Sequence, residues 1–365
     1  MNTKVVTSLG IIAAALGLAY APLPGVSRTI TVVAGTELQE PLMALQSKFQ
    51  QQNPNIKVDL KFQGSQEVAD RYFNERNDFQ PTVLIPANGE ILQELSQRWQ
   101  TQNSEPAFYE APRPVAKTQM VAVAWPERAQ VLFPDGKFRW ERLEQAMQGQ
   151  NWSALGGQPN WGSFDFVMTD PERSNSGQLT MALWGQAKLG GSPLNPGNLA
   201  TPPVQSLFSL VHKSVYNPPR STDILLQEFI SRGPNDADVA TVYESIALHR
   251  WQQASASKGA SYQIFYLNPT IETVSTAAIA RRNVNGRTAD AARQFLDFLT
   301  QPEQQAVFVQ FGFRPVVSNV DVQSVPGSPW SQNIPGAEAN PAGQVLPTPN
   351  TSVLEEVKRL WGRSR

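Results

Sequence analysis

Residues 169–178 read TDPERSNSGQ, between the apolar stretches Phe164–Met168 (FDFVM) and Leu179–Gly185 (LTMALWG). The first stretch has the character of a buried strand, and the second begins a helix. Between them stand Ser174, Asn175, Ser176 and Gly177. Ser, Asn and Asp cap helices by accepting from unpaired first-turn N–H groups, which accounts for one of these side chains. The others surround a helix start that carries about half a positive charge and four unpaired donors. Gly177 keeps side-chain bulk away, so the turn is equipped to hold a ligand against the backbone.

The arrangement recurs upstream. Residues 30–34 (ITVVA) predict a strand ending in Gly35-Thr36-Glu37, followed by Leu38, Leu42, Leu45 and Phe49 at helical spacing. Pro41 falls in the first turn of that helix, and Asn53-Pro54-Asn55 stops it. Ile56, Val58, Leu60 and Phe62 alternate as a strand that ends in Gly64-Ser65-Gln66, before a helix through Val68, Tyr72 and Phe73. TVLIP (82–86) ends at Ala87-Asn88-Gly89, and Ile91, Leu92, Leu95 and Trp99 follow helically. Three such units imply a parallel sheet with helices on its faces, where ligands bind beyond the carboxyl ends of the strands.

A second α/β unit is predicted downstream. Its strands are Met120–Trp125, Phe164–Met168 and Asp238–Tyr243, the last running into Glu244-Ser245. Helices are expected around Trp140–Met147, Val204–Lys213 and Thr222–Arg232, with another from Glu244 to Gln253. Tyr262–Leu267 and Val274–Ala280 read as strands, and Thr288–Leu299 as a helix with Thr288 its N-cap. Thr300-Gln301-Pro302-Glu303 reads as a capping box opening a helix through Val309. Residues 318–351 are rich in Pro, Gly and Asn and read as a loop, closed by a short helix at Val353–Trp361. Taken singly, each polar turn is ordinary capping. Five of them across two α/β units point to a shared binding cleft.

Composition narrows the chemistry. The chain has 365 residues, formal net charge -1, no cysteine and 2 histidines. The length suits two domains. The charge gives no nucleic-acid footprint. Without cysteine there are no disulfides, thiolate metal sites or thiol nucleophiles. GxSxG, the P-loop motif and GxGxxG are missing. An enzyme would need His212 or His249 as base, and both lie in amphipathic helical stretches. No metal site and no cofactor are expected. At the N-terminus, Lys4 precedes an uncharged run, Val5–Ala21, ending in Ala19-Tyr20-Ala21. That is an export-signal pattern. Pro22 argues against cleavage there, and the run is near the lower limit for spanning a bilayer, so residues 1–28 read as an export signal or a retained anchor.

The motifs, in order, resemble the periplasmic solute-binding proteins with two α/β lobes joined by two crossing strands. They are VVAGTELQE, KFQGSQEVADR, PTVLIPANGE, TDPERSNSG, ATVYESIAL and FLDFLTQPEQQAVFVQFGFRPV, within about residues 29–317. The resemblance implies an α/β fold with a central cleft, each lobe a mainly parallel sheet flanked by helices. Lobe one is then 29–122 plus 275–317, lobe two is 123–274, and 318–365 is an extension. It implies ligand contacts at Gly35, Thr36, Gly64, Ser65, Asn88, Ser174, Asn175, Ser176, Gly177, Tyr243 and Glu244. It also implies hinge closure and delivery to the membrane permease of an ABC importer.

Donor-rich helix starts favour a small polar, anionic solute. A ferric site usually wants neighbouring tyrosines, and no Tyr-Tyr pair occurs. A sugar site wants exposed aromatics, for which Trp125, Trp152 and Trp161 are candidates, although each suits a core better. Arg173 is placed to neutralise an anion or to sit in solvent. Glu244 has two readings, a local cap and ion-pair partner or an acceptor for a cationic ligand. A third function keeps the fold without transport, as a membrane-tethered sensor or assembly domain.

Overall fold

The computed structural model describes residues 27–149, 151–258 and 261–364. The expected export signal or anchor, residues 1–28, lies outside the described residues apart from its last two.

β1 (Arg28–Gly35) passes through a 3-10 turn (Thr36–Leu38) into α1 (Gln39–Gln52). β2 (Ile56–Gln63) leads into α2 (Ser65–Phe73), and β3 (Val83–Ile85) into α3 (Gly89–Gln100). β1 pairs in parallel with β2 on one side and β3 on the other. Alternation sends its side chains to two cores. Ile30, Val32 and Ala34 pack with Leu42 and Phe49 of α1. Val33 faces Val68 and Leu92, from α2 and α3.

β4 (Arg113–Ala124) carries the chain into the second lobe. There follow α4 (Pro126–Leu132), α5 (Trp140–Gly149), β5 (Phe166–Val167), α6 (Asn175–Lys188), α7 (Pro196–Leu199), α8 (Pro202–Ser214), α9 (Thr222–Arg232), β6 (Val239–Tyr243), α10 (Glu244–Lys258) and β7 (Gln263–Tyr266). β8 (Thr270–Ile279) returns to the first lobe, where α11 (Gly286–Leu299) and α12 (Pro302–Gln310) complete its core. The strand order is β2-β1-β3-β8-β4-β6-β5. The near half of β4 pairs antiparallel with β8, Met120–Ala124 pair with β6, and Val121–Ala124 also pair with β7. These two long strands are the connection between the lobes. Among the described residues of the second lobe, parallel pairing is confined to β5 with β6.

Several local expectations are corrected. β4 starts at Arg113 rather than Met120, and β8 at Thr270 rather than Val274. Their polar residues look loop-like until each strand finds the other. FDFVM narrows to two strand residues, Phe166–Val167. α11 is capped by Asn285, whose side chain accepts from Thr288 N. The Thr300 hydroxyl donates back to Leu296 O and Asp297 O, so α12 begins after Gln301 with no capping box.

The extension is more ordered than a surface loop. β9 (Val345–Leu346) pairs in parallel with β8 at Thr270–Ile271. α13 (Thr351–Arg363) buries Val353, Leu354, Val357, Leu360 and Trp361 in the second lobe's core. The same helix touches the first lobe, through Thr351 Oγ1 on Glu90 (3.3 Å) and Lys358 Nζ on Glu94 (3.7 Å), both in α3.

Candidate functional site

Each polar turn lies where a strand ends and a helix opens, and the two lobes bring these turns face to face. Gly64 comes so close to the other lobe that a methyl group on it would lie 3.2 Å from the Arg173 carbonyl oxygen. Thr36 Oγ1 and Ser221 Oγ are 2.9 Å apart. Gln66 Nε2 donates to Gln178 Oε1 (3.3 Å), and Asn88 Nδ2 to Asn175 Oδ1 (2.5 Å). Asn175 in turn donates to the Tyr243 hydroxyl (2.8 Å) and to Thr273 of β8 (3.4 Å). Arg173 reaches Glu67 across the seam at 3.4 Å. Gly35, Thr36, Gly64, Ser65, Asn88, Ser174, Asn175, Ser176, Gly177 and Tyr243 thus line one polar seam or stand directly behind it.

Three helix starts at this seam lack a side-chain cap. Gly35, Gly64 and Ser174 each hold the N-cap position with no side-chain bond to the first turn. One serine of this turn is expected to cap, but Ser174, at the N-cap position, places its hydroxyl 3.2 Å from Ser176 Oγ instead. Ser176 Oγ also meets Thr222 Oγ1 (2.6 Å) and Thr169 Oγ1 (2.8 Å). First-turn N–H groups without caps are the donors that hold anions. Asn88 and Ser221, by contrast, do cap their helices.

Gly177 works differently from the expected open approach. A methyl group there would lie 2.4 Å from Thr169 O and 2.9 Å from Pro171 N, so the glycine lets α6 pack onto its own preceding turn. Gly177→Ala is expected to cost about 1–3 kcal/mol or more by overpacking against backbone. Urea denaturation checks this, and an unchanged midpoint would show that the turn yields freely.

Glu244 is buried completely, with its carboxylate gripped by Arg314 Nε (2.8 Å) and Nη2 (2.7 Å) and by the Tyr266 hydroxyl (2.5 Å). Of its two readings, the ion pair describes what it contacts. The three tryptophans also sit away from the seam. Trp125 stacks on Phe229, Trp152 donates to Asp238, and Trp161 lies over Arg128. His212 packs against Trp361, while His249 bonds Glu40 beside Phe311.

Several seam residues escape a reading of the sequence. Ser221 and Thr222 open a helix with small hydroxyls, but Pro218-Pro219-Arg220 precede them rather than a strand. Gln66 and Gln178 carry no motif. Glu37 reads as a routine acid in a first turn. In the structure it is 8% exposed, and its carboxylate folds over Gly35, where a methyl group would lie 2.2 Å from Oε1. Ser65 Oγ donates to it at 3.3 Å. Burial pushes the carboxyl up to about 7, against the opposing pull of its own N–H and of Ser65, with Asp223 adding to the rise. Beside Glu37 lies a cavity of about 200 Å³ lined also by Thr36, Glu40, Asp223, His249 and Arg250. Arg250 bridges Glu40 of the first lobe (2.8 Å) and Asp223 of the second (2.8 Å). Among the described residues, no group of three or more His, Asp or Glu is placed to hold a metal. No helix among them is long and apolar enough to cross a membrane.

Two α/β lobes, two crossing strands and a polar seam between facing helix starts define the two-lobed periplasmic binding fold. Residues 30–314 match the family of bacterial extracellular solute-binding proteins, and the chain belongs to that family. Solved structures agree on the fold. The sulfate-binding protein SubI from Mycobacterium tuberculosis H37Rv is 16% identical with a TM-score of 0.56, over 87% of this chain and 94% of that one. A periplasmic thiamin binding protein is 14% identical with a TM-score of 0.60, over 92% and 96%. The ferric binding protein from Campylobacter jejuni is 12% identical with a TM-score of 0.59, over 92% and 99%. Compared by sequence with curated proteins, the chain has no match.

Proposed function

We propose that this chain is an exported binding protein that captures a small polar, anionic solute between its lobes and delivers it to the permease of an ABC importer. The observation that carries this reading is the convergence of three uncapped helix starts, at Gly35, Gly64 and Ser174, from both sides of one seam. Hydroxyls of Thr36, Ser65, Ser176, Ser221 and Thr222 stand around them. Opening about β4 and β8 would admit the solute, and closure would surround it with donors. A relative of similar fold that binds sulfate supports an anion.

The test is a melt with candidate anions. A solute at about 100 times its dissociation constant adds about 2.7 kcal/mol to stability, enough to move the transition by several degrees. Scattering with and without that solute should register closure. If no solute moves the melt, capture is refuted. A second reading is favoured by α13, which touches both lobes and ties them together. In it the domain stays closed and serves as a tethered sensor or assembly partner. Retention of residues 5–21, seen as full-length mass in a membrane fraction, supports the tether, whereas a shortened soluble form supports free capture.

A further inference from the structure

The anion nest at the seam already contains an anion-forming group of the protein itself. The Glu37 carboxylate lies over Gly35 and accepts from Ser65, so it spans two of the three uncapped helix starts. No motif or comparison assigns it a role. We infer that Glu37 is an internal competitor for the solute, its carboxylate standing where an oxyanion would bind, so that the solute binds with a proton on Glu37. The inference rests on the seam being the solute site.

The surroundings supply the reason. Asp223 of α9 faces Glu37 and raises its proton affinity further. Tyr243 of β6 lies within its field and is neutral. Glu40, on Glu37's own helical segment, is engaged by Arg250 and His249 of α10. On the α2 side, Glu67 is engaged by Arg173. The nearby cations are therefore already committed to other carboxylates, and Glu37 closes into the seam with only its own N–H and one hydroxyl for support. A second negative charge beside an ionised Glu37 would be repelled without compensation, and a proton on Glu37 removes that repulsion while supplying a donor.

With the carboxyl held up to about 7, the competent protonated form dominates below that pH and is lost above it. Affinity for an anion is then expected to fall about tenfold for each pH unit above the transition. Sulfate, molybdate and nitrate keep constant charge from pH 6 to 9, so titration calorimetry with these three isolates the protein's own proton. Glu37→Gln, which nearly preserves shape, should bind the accepted anion at least about tenfold more tightly than the unaltered chain at pH 8.5, with a flat pH profile. His249→Gln controls for the neighbouring imidazole that bonds Glu40 and should keep the slope.

Equal affinities and equal slopes in Glu37→Gln and the unaltered chain overturn the inference while leaving solute capture intact. So does tight putrescine binding that Glu37→Gln abolishes, because Glu37 would then recognise a cationic solute. Failure of all three anions to bind either protein at millimolar concentration removes the anion site itself. Melts of both variants confirm folding, and Glu37→Ala gives a second flat profile should Gln retain a contact.

Discussion

A chain ending before Thr351, without α13, is expected to lose its cooperative melt or to melt far below the full-length protein. α13 buries Val353, Leu354, Val357, Leu360 and Trp361. At about 1.5–3 kcal/mol for each fully buried large side chain, docking gains on the order of 10 kcal/mol before the ordering of the helix is subtracted. Whole domains are stable by only about 5–15 kcal/mol, so uncovering the faces of α6, α7 and α8 threatens the second lobe. The graded form is Trp361→Ala, expected to cost about 3–5 kcal/mol. Calorimetry reads both. A truncated chain that melts with the full one would show that α13 merely rests on the surface.

Arg314→Ala is the second large effect. It strands the carboxylate of Glu244, which has no solvent exposure and takes two bonds from the guanidinium. Removing one partner of a buried pair costs about 3–5 kcal/mol because the other charge stays uncompensated. Arg314 also donates to Ala339 O (2.7 Å) and lies over Trp330, so it anchors the extension as well. Replacing both partners, as Glu244→Gln with Arg314→Met, should recover much of the loss in chemical denaturation. If the double variant is as unstable as the single one, the anchoring of the extension matters more than the charge.

The polar turns were legible because each depends on local chemistry. Gly, Ser, Thr or Asn at the end of an apolar run marks a strand-to-helix junction wherever it occurs, as at Gly35-Thr36 and Gly64-Ser65. The crossing strands were only half legible. Residues 113–119 (RPVAKTQ) lack a clear alternation, and their pairing with β8 is a tertiary fact. Caps were misplaced where two candidates compete. Asn285 wins over Thr288 because its side chain reaches the third N–H of the helix, while Thr300 is drawn back to the preceding carbonyls. Glu37 and Arg250 carry no signal in the sequence, because a lone first-turn acid and a lone arginine on a surface helix are ordinary. Their significance arises from the opposite lobe. The Pro and Gly residues of the extension forbid long elements, yet a 3-10 turn at Pro329–Ser331 and the loop after it bury Trp330 and Ile334.

The two-residue strand β9 has an effect out of proportion to its length. β3 covers the outer side of β8 only at Ala278–Ile279, which leaves the start of β8 with main-chain groups facing outward. β9 occupies that rim at Thr270–Ile271, Gln344 O accepts from Thr270 N, and the Thr348 hydroxyl donates to Glu272 O. An unprotected rim of this kind is a template for strand addition by other polypeptides. The extension therefore covers an open rim of one of the two strands that join the lobes, and proteolytic nicking upstream of Val345 is expected to invite oligomers.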